Sequence, residues 1–321
     1  MKTTPVLSVA VALIASAQVA DAQQKSTRLS IATGGTGGIY YPLGGGLANI
    51  LSKALPGVEA TAEVTSASVD NIKLVGSGRA DVAFVQADMA ADGFNGTGKF
   101  KEKMPIRSIA VTYASRNQVV TLERTDIKSM RDLKGKRVST GAPGSGTEVT
   151  ALRVLEAYGI DADKDLKREK LSVAESVNAI KDGKIDAFFW GGGVPTAAIT
   201  DLGATPGVKI KLLDHADAVP NMVKKYGPLY VKGTLSKDSY PGQTKDVQVV
   251  DLWNLLIVHE KMDERLAYDV VKTLFDKKAD LVAVHSEAAN LDLTRQYAGG
   301  SPIPFHSGAM RYFSEKGLKP R

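Results

Sequence analysis

The chain has 321 residues, 43% of them hydrophobic, a net charge of +6 and no cysteine. The absence of thiols excludes disulfides, thiolate metal sites and cysteine nucleophiles together, so stability must come from a buried core. Its basic residues are dispersed except at 134–137 (KGKR) and 167–170 (KREK), both beside turns or helix ends and read as solvated faces, so no nucleic-acid partner is expected.

In chain order, residues 1–22 come first. Lys2, an apolar run from Val6 to Val19 and the small-x-small site Ala20-Asp21-Ala22 form the pattern of a secretory signal, with cleavage expected after Ala22. The apolar run is too short to span a bilayer comfortably. Residues 23–321 exceed what a single hydrophobic core usually serves, which predicts two domains.

Arg28–Thr33 reads as a strand, Gly34-Gly-Thr-Gly-Gly38 as a turn, and Leu43, Leu47, Ile50, Leu51 and Ala54 as one face of a helix that Pro56-Gly57 ends. Glycine inside a helix costs about 1 kcal/mol relative to alanine. Gly44-Gly45-Gly46 therefore marks either close approach of a ligand or of the other lobe, or a helix that starts late. Ser66-Ala-Ser68 is a further candidate helix start, and residues 78–84 form a glycine turn into an apolar strand that ends beside Gln86. The chain then leaves the first lobe along Ile106–Ala114. Lys136–Thr140 is the next strand, Gly141–Gly146 the next glycine turn, and Ala151, Leu152, Val154, Leu155 and Tyr158 the next helix face, with Gly159 at its stop. Residues 183–189 repeat the glycine turn into a strand, followed by Trp190-Gly-Gly-Gly-Val-Pro195. Pro241-Gly-Gln243 breaks the pattern, the apolar run Val247–Val258 returns to the first lobe, and 264–275 is helical.

These blocks repeat at a nearly constant offset. Gly34 corresponds to Gly141, Ser68-Val-Asp-Asn-Ile72 to Ser176-Val-Asn-Ala-Ile180, and Gly78 to Gly183. The expected fold is α/β, with two lobes, 23–115 plus 245–321 and 116–244, joined by a hinge over a ligand cleft. Strands alternating with helices imply largely parallel sheets, whose ligands bind beyond the carboxyl ends of the strands. Those ends are where the glycine turns fall.

A helix N-terminus presents unpaired N–H groups and the positive end of its dipole, and glycine lets a ligand approach them. Candidate ligand-binding residues are therefore Thr36, Gly37, Gly38, Tyr40, Ser66, Ser68, Ser145, Gly146 and Thr147, with Gln86, Trp190 and Gly192 at the strand ends. The implied ligand is a small organic anion. Other chemistries fail on their patterns. Gly141–Thr147 lacks the lysine of a nucleotide phosphate loop, Pro143 occupies the first glycine position of a hydrolase elbow, and Tyr40 the third glycine position of a dinucleotide fingerprint. His215, His259, His285 and His306 lie far apart without ligand spacing, so no metal site, cofactor or catalytic residue is expected.

The stretch Ala32-Thr-Gly-Gly-Thr-Gly-Gly-Ile-Tyr-Tyr-Pro42 resembles the opening of the TAXI family, the solute-binding proteins of tripartite ATP-independent periplasmic (TRAP) transporters. The similarity continues through Ser68–Asn71, Gly78–Gln86, Leu133–Val138, Gly144–Thr147 and Ile185–Pro195 to Ile303–Tyr312. Two departures are visible: His306-Ser307 where His-Pro is usual, and Ala-Ser-Arg-Asn after Tyr113 where a Pro-Glu pair is common. The resemblance implies a type II periplasmic binding fold, a periplasmic location and a monomeric receptor. It also implies a carboxylate ligand, such as glutamate or 2-oxoglutarate, delivered to a TRAP-type integral membrane partner. A sensory receptor on the same fold, or a secreted enzyme on the same scaffold, are the alternatives.

Overall fold

The computed structural model describes residues 26–296 and 301–318; the predicted signal segment lies outside the described residues. The first part of the chain forms β1 (Thr27–Ala32), α1 (Tyr40–Ala54), β2 (Val58–Glu63), α2 (Ser68–Gly76), β3 (Val82–Gln86) and α3 (Ala87–Asn95). The long β4 (Ile106–Leu122) follows. Next come β5 (Arg137–Ser139), α4 (Gly146–Ala157), β6 (Lys167–Glu169), α5 (Val173–Lys181), β7 (Ala187–Gly192) and α6 (Ala197–Ala204). The remainder is β8 (Ile210–Leu212), α7 (Val219–Tyr226), β9 (Val231–Leu235), β10 (Val247–His259), α8 (Glu264–Asp276), α9 (Lys278–Val284) and α10 (Ser307–Glu315).

One sheet runs β2-β1-β3-β10-β4-β7-β5-β6, with β8 beside β4 and β9 beside β10. Its flanks are two parallel triplets of the same internal order, β2-β1-β3 and β6-β5-β7. The sequence repeat is thus a structural repeat: β1-α1-β2-α2-β3 corresponds to β5-α4-β6-α5-β7. Between the triplets, β4 and β10 pair antiparallel, with Asp251 opposite Arg116 and Leu255 opposite Val111. β10 also pairs with β3, and β4 with β7. The two longest strands therefore join the halves.

Each triplet is covered on both faces. Leu29, Ile31, Leu47 and Leu51 pack with Val271 and Phe313 on one side of the β1 half, while Val69, Ile72, Val85 and Met89 fill the other. In the β5 half, Val138, Val154, Leu155 and Phe189 form one core, and Val177, Ile180, Phe188 and Ile199 the other. Burial on both faces explains why β3 and the first half of β7 read as continuous apolar runs.

Two of the three glycines in the triplet, Gly44 and Gly46, have a packing explanation, whereas a Cβ on Gly45 would meet nothing within 4 Å. α1 begins at Tyr40, so all three glycines lie inside it. A Cβ on Gly44 would collide with the Thr33 side chain on the loop after β1, and one on Gly46 would come within 3.0 Å of Val284 on α9. The close approach is to these neighbours, not to a ligand or the opposite half. In the 167–170 cluster Lys167, Glu169 and Lys170 are exposed, as a solvated face requires, and Arg168 alone departs from it. The cluster contains β6, and Arg168 is largely buried, 2.7 Å from Glu148.

Candidate functional site

A cavity of about 360 Å³ opens between the β1 half and the β5 half, at the carboxyl ends of the parallel strands. Thr36, Gly37, Gly38, Tyr40, Ser66, Ser68, Gln86, Ser145, Gly146, Thr147, Trp190 and Gly192 all line it. Four helices begin at its wall: α1, α2, α4 and α5. Their ends differ in what they leave unpaired.

α1 has no side-chain cap, so the N–H groups of its first turn are not used within the helix. The α2 end is occupied. The Gly144 carbonyl, from the turn before α4, accepts from Val69 N at 3.1 Å and Asp70 N at 3.2 Å. Ser68 Oγ accepts from Gln86 N at 3.1 Å. At α4, Ser145 is the N-cap: its Oγ accepts from Glu148 N at 3.0 Å and donates to the Ala142 carbonyl at 2.7 Å. That hydroxyl is committed to the backbone, whereas the N–H groups of Gly146 and Thr147 lie beyond the cap's reach. Thr147 Oγ1 accepts from Gly191 N at 3.2 Å, leaving its own hydrogen to point elsewhere.

The other polar residues are held by the protein. Tyr40 OH donates to Asn254 Oδ1 at 2.6 Å while its ring stacks on Phe84, and burial raises its pKa. Gln86 donates to Ser115 Oγ at 2.9 Å, and its Oε1 lies 3.3 Å from Thr150 Oγ1. Trp190 Nε1 donates to Thr196 Oγ1 at 2.8 Å.

Several glycines here serve contact between the halves. A Cβ on Gly38 would sit 2.8 Å from the Trp190 ring, and one on Gly37 3.2 Å from Ala174 and 3.4 Å from Ala198. A Cβ on Gly146 would collide with Gln86 and Ser68, and one on Gly191 would stand 2.7 Å from Gln86 Nε2. In each pair the glycine belongs to one half and its neighbour to the other.

Behind Gln86 the halves are also joined by a buried polar network. Thr150 donates to Asp88 at 3.2 Å, and Arg153 Nη1 reaches Asp88 at 3.3 Å and Tyr230 OH at 2.7 Å. Arg153 Nη2 bonds Asp92, and its guanidinium lies 4.4 Å from the centre of the Tyr226 ring. Burial raises the Asp88 pKa, with Arg153 and the Tyr230 hydroxyl opposing.

Several lining residues escape the sequence reading. The α5 start contributes Leu171, Ser172, Val173, Ala174 and Glu175. Its signal was present: Ser172 and Glu175 form a capping box. The repeat drew attention to Ser176, which lies within α5. Tyr113 was also missed. It is 1% exposed, and its hydroxyl has no partner among the described residues. None of the described lining residues is Lys, Arg or His, and Glu175 is the one carboxylate among them. The histidines sit in separate places: His285 and His306 accept backbone N–H groups at helix starts, His259 accepts from Lys261 N, and His215 contacts the Leu213 carbonyl.

Solved structures of similar architecture include two that are named as binding proteins. A binding protein component of an ABC phosphonate transporter from Pseudomonas aeruginosa has a TM-score of 0.52 at 12% identity, over 83% of this chain and 80% of that one. An ancestral arginine-binding protein bound to arginine has a TM-score of 0.51 at 16% identity, over 82% and 98%. A Streptococcus mutans structure concerned with glutathione import via GshT and the cystine ABC importer TcyBC has a TM-score of 0.51 at 15% identity, over 89% and 100%. At such identities the likeness shows the fold, which is that of type II periplasmic binding proteins. The family model that matches, over residues 31–317, is that of the NMT1-like family, and the chain belongs to it.

Proposed function

We propose that the protein is an extracytoplasmic solute receptor that closes two lobes, 23–115 with 245–321 and 116–244, around a small organic anion. The single observation that carries this reading is the cavity itself. Residues from separate stretches of both halves meet around one space whose wall is made of helix starts, an environment that favours negative charge. With no Lys, Arg or His among the described lining residues, the attraction is assigned to backbone N–H groups rather than to a counter-ion. A carboxylate is the simplest ligand of that kind, and delivery is to a membrane transporter. The motifs shared with the TAXI family favour a TRAP-type partner. The solved neighbours named for ABC transporters make an ABC permease the second reading. Uptake in cells tests the choice, since an ABC partner requires ATP and a TRAP partner an ion gradient.

Thermal unfolding of residues 23–321 against carboxylates, amino acids and neutral sugars tests the receptor reading. A ligand at 100 times its dissociation constant stabilises the fold by about 2.7 kcal/mol. Stabilisation by a carboxylate is the expected result; stabilisation by neutral sugars alone would overturn the anion assignment.

A further inference from the structure

We infer that the cavity selects a monoanion, a small monocarboxylate with an uncharged, apolar body, and that it discriminates against amino acids and dicarboxylates. This rests on the anion-receptor reading above and specifies how much charge the site accepts.

Among the described lining residues no side chain is cationic, so the positive potential in the cavity is that of helix ends. Each supplies roughly half an elementary charge, falling off within a turn. Two of the four are taken: the Gly144 carbonyl caps α2, and the Glu175 carboxylate sits at the α5 start, accepting from Ser172 N. The ends that remain suit one carboxylate. A second would need a cation, and none lines the cavity. It would instead meet Glu175, whose carboxyl is held below its ordinary range by the Ser172 N–H and remains ionised. A dicarboxylate therefore brings a second charge that no cation among the described lining residues compensates.

An α-ammonium group fares no better. The same helix ends that attract a carboxylate repel a cation. The lone lining carboxylate, on Glu175, is exposed and already accepts from Ser172 N at 2.8 Å. An ion pair made there is screened by water and worth little, too little to offset desolvating an ammonium.

The rest of the wall describes the body of the ligand. Trp190, Phe189, Leu171 and Val173 are apolar, and about 360 Å³ admits only a small molecule.

The test is calorimetric titration of residues 23–321, refolded to strip carried-over ligand, with 4-methyl-2-oxopentanoate, leucine, 2-oxoglutarate and glutamate. The first should bind at least about tenfold more tightly than the other three, a difference of about 1.4 kcal/mol. Glu175→Gln keeps the capping box and should strengthen 2-oxoglutarate binding about threefold, the effect of one partly screened charge, while the monoacid changes by less than twofold. Equal or tighter binding of 2-oxoglutarate, glutamate or leucine would overturn the inference and leave the anion receptor standing. Binding of none of the four would bring down both.

Discussion

Arg153→Met removes the cation at the centre of the network behind Gln86 while keeping a side chain of similar reach. Arg153 and Asp88 are almost fully buried, with side-chain exposures of 9% and 1%. The change leaves Asp88 with Thr150, Tyr230 and its own backbone contact, and Asp92 without its guanidinium. Breaking a buried pair by removing one partner costs about 3–5 kcal/mol. The loss should depend on pH. Burial already places the Asp88 carboxyl above its ordinary range, with Arg153 pulling down. Without that cation the carboxyl rises further. Above the ordinary carboxylate range the native variant then retains a proton that the unfolded chain has released, so its stability falls as pH rises. Urea unfolding followed by tryptophan fluorescence at pH 5 and pH 8 checks both points, since Trp190 and Trp253 report on opposite halves of the sheet. The deficit against wild type should be larger at pH 8, and adding Asp88→Asn should recover part of it. A loss below about 1 kcal/mol at pH 8, the size of a surface pair, would refute a buried network joining the halves. So would a double variant no more stable than the single one.

Gly146→Ala should hold the cleft open, because the new Cβ meets Gln86 and Ser68 across it; X-ray scattering should show a larger radius of gyration, and ligand affinity should fall at least about tenfold. Ser145→Ala should cost about 1 kcal/mol as a lost N-cap and leave ligand affinity within about twofold, since its hydroxyl bonds only the backbone; a large loss of affinity without a loss of stability would contradict that assignment. Asp251 is pushed up to about 7, chiefly by burial, with Arg116 lowering and Glu287 raising its pKa. Between the ordinary carboxylate range and pH 7 the native state holds its proton and the unfolded chain does not. Stability should therefore fall with rising pH by up to about 1.4 kcal/mol per unit, a slope that Asp251→Asn should flatten in the same unfolding assay.

The local parts of this architecture were legible in the sequence because they leave local marks. Strand, glycine turn and helix recur around Gly34 and Gly141, and that recurrence is the match between the two parallel triplets. The apolar run at 247–258 is β10, and 264–275 lies within α8. The helix-start reading of the glycine turns also assembled the cavity wall, because such turns must lie at strand carboxyl ends. What escaped depends on contacts distant in sequence. Asp88, Asp92, Thr150, Arg153 and Tyr230 show no common pattern along the chain and meet only after both halves fold. The role of Gly44 depends on Thr33, and the filling of the α2 end by Gly144 depends on how the halves face each other. Ser172-Val-Ala-Glu175 was readable as a capping box, but the repeat fixed attention on the wrong turn of that helix.

The Gly144 carbonyl has a kinetic meaning as well as a static one. Two hydrogen bonds from adjacent N–H groups converge on a single oxygen, carried by a turn whose glycine sits at φ +82°. Hydrogen bonds weaken steeply with distance and misalignment, so a small rotation between the halves releases both together. The joint then behaves as a catch rather than a spring: it is engaged or it is free, with little advantage in partial opening. Fluorescence energy transfer between labels on the two halves would accordingly resolve two discrete populations, with ligand altering their weights and not their positions.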